Sequence, residues 1–382
     1  MPDLPPPSFG GSGIPVAHQR RPRVPRLSPG VPVMRSNKTI TAVFLFLVTG
    51  SVLFGLAGCG SSGPQKIELG WPPAPREPMI VYEQTIYGSH NLERGFFGKI
   101  GDFLFGKSTD MALGKPYGVL FDGKDRLYIA DTSKKGIMIL DFGSGKAEFI
   151  ESLGAYGRLG EPVNIVLDDQ GNLYVSDTFL RRVVVFGPEG KFSHFIGENE
   201  LTSPVGLALG PDQKTLYVAD AARHEVKIFT TEGELVGGFG KRGDMKGEFY
   251  HPLGLAISGD GTVFVVDSFH FAVQAFDLEG NFLFSFGATS KGMGSLARPR
   301  SIAIDGDGHL YVSDALKNNV QIFDPAGQLI LQFGMRGMQP GQFRLPAGIC
   351  ITEDNRIFVV DSINQRIQEF RYLPQGQGSD ES

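Results

Sequence analysis

Gly341 to Phe370 reads GQFRLPAGICITEDNRIFVVDSINQRIQEF: a Pro, an apolar run, a Glu-Asp-Asn turn, a β-branched and aromatic run closed by Asp361, and a further run ending in Phe370. Alternating apolar residues bounded by Gly, Pro and Asp clusters predict a strand, a tight turn, a second strand, a loop and a third strand. The same frame recurs upstream. An Asp closes a short β-rich run in YIAD (Asp131), YVSD (Asp177), YVAD (Asp220), FVVD (Asp267), YVSD (Asp314) and FVVD (Asp361), at steps of 46, 43, 47, 47 and 47 residues. Each Asp follows a Pro by about fifteen residues (Pro116, Pro162, Pro204, Pro252, Pro299, Pro346) and precedes a run ending in Leu140, Phe186, Phe229, Phe276, Phe323 or Phe370. A fixed period in the forties marks a repeat architecture. In the fifth copy, SIAIDGDGHLYVSD gives two strands, ALKNN a loop and VQIFDPAGQLILQFG two more. One such four-stranded sheet cannot bury both faces alone, so the copies must stack radially: an all-β, six-bladed β-propeller of antiparallel blades.

The segments Gly341 to Phe370 and Gly247 to Phe276 (GEFYHPLGLAISGDGTVFVVDSFHFAVQAF) resemble the repeat of the NHL family almost position for position. The resemblance covers roughly residues 79 to 373 and implies the six-bladed fold. It says less about function, because such propellers carry binding surfaces and enzyme sites alike. The last copy stops near Leu373 after its third strand, and Pro78 to Gly88 (PMIVYEQTIYG) has the form of a missing fourth strand. The N-terminal strand is therefore expected to complete blade six and leave no open edge.

The start of the chain has another character. Residues 1–33 are Pro- and Arg-rich with nothing to pack, and are expected to be a disordered, mis-called extension before a start at Met34. Residues 34–58 have a basic stub (Arg35, Lys38), an apolar stretch from Ile40 to Leu56 and small residues before Cys59, the pattern of an export signal. Leu56-Ala57-Gly58-Cys59 resembles the lipobox of bacterial lipoproteins. That resemblance implies cleavage before Cys59 and a diacylglyceryl and acyl lipid on it, the one prosthetic group expected. Residues 59–78 read as a flexible tether, and 374–382 as a disordered tail. Gly60, where an Asp would favour inner-membrane retention, points to the outer membrane of the cell envelope. With Cys59 lipidated, Cys350 is left as a small buried hydrophobe in the first strand of blade six.

The whole chain carries a net charge of −5; residues 1 to 58 hold six basic and one acidic residue, so their removal leaves about −10. In an antiparallel blade the tight turns lie at one end and the remaining loops at the other. The tight turns are acidic, while the loop end carries many cations, Arg366 among them. Arg181, Arg182, Arg223, Arg242, Arg298 and Arg336, with Arg300 at the channel mouth and His224 and His270 in adjacent loops, form the candidate binding face. Clustered guanidinium forks suit an anionic partner; the competing reading is solvated charge. Cytoplasmic relatives bind RNA with such a face, but an exported lipoprotein meets protein or anionic cell-surface ligands, so no nucleic acid is expected.

The repeat aspartates Asp131, Asp177, Asp220, Asp267, Asp314 and Asp361 occur once per blade, which argues for a structural role in which each accepts backbone N–H groups of the following loop. Other six-bladed propellers are lactonases or lyases with calcium or zinc in the channel, and a metal-dependent hydrolase or lyase is the alternative reading. The first strands here (PYGVLF, PVNIVL, PVGLAL, PLGLAI, PRSIAI, PAGICI) supply only Asn164 as a plausible channel ligand, and no His cluster or catalytic residue is expected. DGDG at Asp305 to Gly308 lacks the distal Glu of a calcium loop. One segment breaks the period. Phe96, Phe97, Ile100, Phe103 and Leu104 fall at helical spacing and form either a lid on the propeller or a docking patch. The reading that results is a non-catalytic, lipid-anchored binding propeller of the bacterial envelope.

Overall fold

The computed structural model describes residues 69–92, 111–288 and 292–374. Cys59 and the Phe96–Leu104 segment lie outside them, as do the N-terminal 68 residues. The described residues form six blades of four antiparallel strands in a ring. Blade one is Pro116–Phe121, Arg126–Asp131, Gly136–Asp141 and Lys146–Ile150, from the axis outward. Blades two to five repeat that order, beginning at Pro162, Pro204, Pro252 and Pro299.

Blade six is built from both ends of the chain. Pro346–Ile351, Arg356–Asp361 and Arg366–Tyr372 are followed outward by Ile80–Ile86, which pairs antiparallel with the last strand from Ile80↔Tyr372 to Ile86↔Ile367. The expected ring closure is therefore present. The expected tether, however, is too long: Gly70–Trp71 pairs with Ile80 and Val81 as a short fifth strand, so the propeller begins near Leu69 and not at 79. Its reason is aromatic burial. Trp71 lies 5.8 Å from the ring centroids of both Phe333 and Phe370, which a Gly/Pro-rich context does not announce.

Alternation along each strand sends side chains to both faces of a blade, and each face is covered by the next blade. The core accordingly divides into six clusters, one per interface, and the cluster joining blades six and one contains Ile86, Ile367, Leu127 and Met138. Cys350 packs against this cluster, and removal from water pushes its thiol up to about 12. Around the axis, Val163, Val205 and Leu253 meet with Tyr117 against them. The inner strands approach so closely there that a Cβ on Gly254 would stand 2.8 Å from Ser301 Cα, and one on Gly118, Gly206 or Gly348 would strike a neighbouring carbonyl oxygen. Blades two and five carry Asn164 and Ser301 at that position instead. In those blades alone the residue before the repeat Asp is Ser: Ser176 Oγ donates to Val205 O (2.7 Å) and Ser313 Oγ to Ala347 O (2.5 Å), tying adjacent blades.

Candidate interaction face

The loop end of the ring is organised by the repeat aspartates, all of them fully buried. Asp131 accepts from the backbone N–H groups of Gly114 (2.6 Å) and Lys115 (3.0 Å) before the inner strand, and of Ser133 and Lys134 (3.1 and 3.0 Å) after its own strand. Asp220 and Asp314 repeat that set, and Asp177 most of it. One carboxylate per blade thus clamps two loops together, the preceding one as well as the following one. Asp267 and Asp361 recruit side chains too. His270 Nδ1 donates to Asp267 at 2.6 Å, and Arg366 Nε to Asp361 at 2.7 Å. Burial raises the Asp361 carboxyl above its usual range, against the hydrogen bonds from Arg344, Asn364 and Arg366.

Two of the loops that enter blades, Gly240–His251 and Gly334–Leu345, share one construction. Gln274 Nε2 donates to Glu248 O (2.8 Å) while its Oε1 accepts from Gly247 N (3.1 Å); Gln368 does the same with Gln342 O (2.7 Å) and Gly341 N (2.8 Å). These buried amides hold the loops as rigid platforms for Arg242 and Arg336.

The cations of this end separate into two groups. Arg366 is buried and bonded to Asp361 and to the carbonyls of Gln339 and Gln342, so it is part of the scaffold and not of the basic face. Arg182 is engaged by Leu180 O, Glu198 and the Phe195 ring. Arg300 reaches across the axis, its Nη1 donating to Tyr117 Oη at 3.0 Å. Arg223 bonds Thr202 Oγ1 at 3.1 Å yet remains exposed. Arg181, Arg242, Arg298 and Arg336 are exposed and, among the described residues, in no ion pair.

His224 and His270, expected as loop residues of adjacent blades, are brought to either side of Tyr250, with ring centroids 6.0 and 6.1 Å from it. His270 spans Asp267 and Asp244 (2.6 and 3.2 Å). Partial burial would lower its pKa, but the hydrogen bonds and charges of those two carboxylates raise it above the ordinary histidine value. His251 stacks on Phe269 at 4.8 Å, and burial holds its pKa below the ordinary value. Among the described residues no three His, Cys, Asp or Glu side chains gather as a metal site. Asn164 Oδ1 turns back to the N–H of Ile165 (2.6 Å), and Asp305 caps its own hairpin through Asp307 N, His309 and Tyr311 Oη.

The sequence reading missed the apolar component of the face. Two residues after the repeat Asp stand Phe179 (72 % exposed), Phe269 (42 %), Leu316 (58 %) and Ile363 (43 %), in blades two, four, five and six. Tyr250, Phe271, Leu345 and Met335 add exposed apolar surface beside them. The signal was available as a fixed offset from each Asp. Four residues after it the backbone turns left-handed in every blade, at Lys135, Arg181, His224, Phe271, Asn318 and Gln365 (φ 54 to 60°).

A family described as a six-bladed beta-propeller matches residues 295–372. No curated protein matches the chain significantly. Solved structures similar to it include a streptogramin B lyase (TM-score 0.53, 12 % identity, 68 % of this chain and 94 % of that one). A protein of unknown function from Bacteroides thetaiotaomicron VPI-5482 matches with TM-score 0.56 and 14 % identity, over 76 % of this chain and 75 % of that one. A gluconolactonase-like protein matches with TM-score 0.53 and 16 % identity, over 68 % and 90 %. At such identities the likeness establishes the six-bladed ring and leaves the chemistry to this chain's own side chains.

Proposed function

We propose that this chain is a non-catalytic binding propeller of the bacterial cell envelope, held to the membrane by a lipid on Cys59, that docks an envelope protein of acidic surface on its loop face. The observation that carries the reading is the row of exposed apolar side chains at the fixed offset from the repeat aspartates, interleaved with unpaired arginines. Phe179, although its ring lies against Gly160, and Leu316 remain mostly exposed, and clustered exposed apolar surface on a rigid scaffold marks an interaction site. Arginine and aromatic residues together form the usual energetic centre of a protein interface. A purely anionic small ligand would need the cations and leave the apolar row without a role.

Photo-crosslinking in intact cells tests this. A benzophenone side chain placed at Leu316 or Ile363 gives one discrete adduct, and the same group at Lys191, on the tight-turn end, gives none. Equal adducts from both ends, or none from the loop end, refute the reading. Stoichiometric calcium or zinc in the purified protein would refute its non-catalytic part in favour of a metal-dependent hydrolase or lyase.

A further inference from the structure

One sector of the loop face is built more elaborately than the rest. Arg242 lies over the Tyr250 ring (Cζ 5.4 Å from the centroid) and Arg298 over the Phe269 ring (5.9 Å). Tyr250 and Phe269 meet edge to face at 5.9 Å, and both rings remain about two-fifths exposed, at 40 and 42 %. Each guanidinium is held beside its ring by cation–π attraction and makes no hydrogen bond or ion pair among the described residues, which leaves its N–H fork available to a carboxylate. His251, its pKa lowered by burial, stacks on Phe269 and extends the flat surface. The exposed carboxylate of the sector, Asp244, is engaged by His270 at 3.2 Å.

Two further observations converge there. Phe271 adopts φ 57° with its ring 47 % exposed. The equivalent residues of the other blades are polar: Lys135, Arg181, His224, Asn318 and Gln365. A bulky aromatic in the left-handed region is strained, and exposure returns nothing to the fold, so the ring is retained for contact. Of the six buried side-chain polar atoms without a partner among the described residues, two border this sector: His224 Nδ1, beside Tyr250, and Ser268 Oγ, whose own N–H bonds His251 O. Such atoms ordinarily find a partner.

We propose that this sector recognises an acidic peptide segment of a partner protein in which a carboxylate side chain neighbours an aromatic or branched apolar one. The carboxylate bridges toward Arg242 and Arg298, and the apolar side chain lies on Tyr250, Phe269 and Phe271. The proposal rests on the reading that the loop face docks a protein, and its test separates the two.

Fluorescently labelled short peptides alternating Glu and Phe are titrated into the full-length, detergent-solubilised protein, beside matched peptides with Gln for Glu or Ser for Phe, and beside a single-stranded oligonucleotide. The Glu/Phe peptide binds best, and each replacement peptide loses roughly tenfold or more, as removal of a charge-assisted pair or a ring contact predicts. Arg242→Ser and Phe269→Ser each weaken the Glu/Phe peptide by a similar factor with thermal midpoints kept, Arg242→Lys recovers part of the loss, and Lys191→Ser changes nothing. Equal binding of all peptides, no binding at millimolar peptide, indifference to both sector variants, or preference for the oligonucleotide overturns the proposal. If it falls while crosslinks from Leu316 and Ile363 persist, the docking function stands and the partner is read elsewhere on the face.

Discussion

The strand Ile80–Ile86 joins the chain's two ends, and its removal or weakening is expected to unfold the whole ring and not one blade. Its two wholly buried isoleucines sit in different interfaces: Ile80 in the cluster between blades five and six, Ile86 in that between six and one. Truncating a buried Ile to Ala costs about 2–5 kcal/mol. The sites lie six residues apart, about 20 Å along a strand, so their effects should add to about 4–10 kcal/mol. That is of the order of a domain's entire stability, about 5–15 kcal/mol. The assay is urea unfolding with two probes. Trp71 is the single tryptophan of the chain, and it contacts Phe333 of blade five and Phe370 of blade six; its fluorescence reports the closure locally, while far-UV circular dichroism reports the ring. With slopes of about 1–3 kcal/mol per molar urea, either single alanine should lower the midpoint by on the order of 1 M, identically in both signals. A variant in which the Trp71 transition moves alone, with the dichroism midpoint unmoved, would show that this strand decorates blade six and that the ring is held otherwise.

Other expectations follow from single groups. Asp220→Ala strands the N–H groups of Thr202, Ser203, Ala222 and Arg223, and should cost at least about 3 kcal/mol, with Asp220→Asn milder because one acceptor oxygen remains; thermal unfolding checks it. His270 has a raised pKa in the fold, so its contribution is fully present below the ordinary histidine value and lost as pH rises through the raised one. His270→Gln should therefore destabilise more at pH about 6 than at about 8.5, and an equal deficit at both would refute the Asp244–His270–Asp267 bridge. His251, lowered by burial, works in the opposite direction, so only the difference between wild type and variant is diagnostic. Cys59→Ser should abolish lipid labelling and signal cleavage; normal-sized, labelled protein from that variant would refute the anchor.

Much of the ring was legible because the blade repeats one physical solution. A Pro opens the inner strand, β-branched residues fill both faces, and an Asp clamps the loops, so Asp131 and its five counterparts locate every blade from the sequence. What failed to show there was context set by other blades. Gly70–Trp71 looks like linker because its neighbours are Gly and Pro; only the pocket between Phe333 and Phe370 makes it a strand. Arg366 looks like surface charge at a loop boundary, yet Asp361 draws it into the buried clamp. Arg182 sits at the same position in blade two, where Glu198 and Phe195 occupy it.

The division between repeated geometry and free identity also bounds where a partner sits. The Asp and the left-handed turn four residues later are demanded by the blade, whereas the residue two after the Asp lends the clamp its backbone N–H and leaves its side chain unconstrained, and there the six blades diverge. Blades four, five and six, which are consecutive in the ring, present Phe269, Leu316 and Ile363, while blades one and three present Ser133 and Ala222. Apart from Phe179 of blade two, the apolar row is thus a continuous arc over half the ring, joined by Leu345 and Met335 from an entering loop and extended at its blade-four end by Tyr250 and Phe271. A symmetric ligand on the axis would draw on all six offsets alike; an arc with Arg242, Arg298 and Arg336 along it fits an elongated partner crossing one side. Substituting Ile363, at the far end from Arg242, then becomes informative: a partner spanning the arc loses affinity there too, whereas one confined to the Tyr250–Phe269 sector does not.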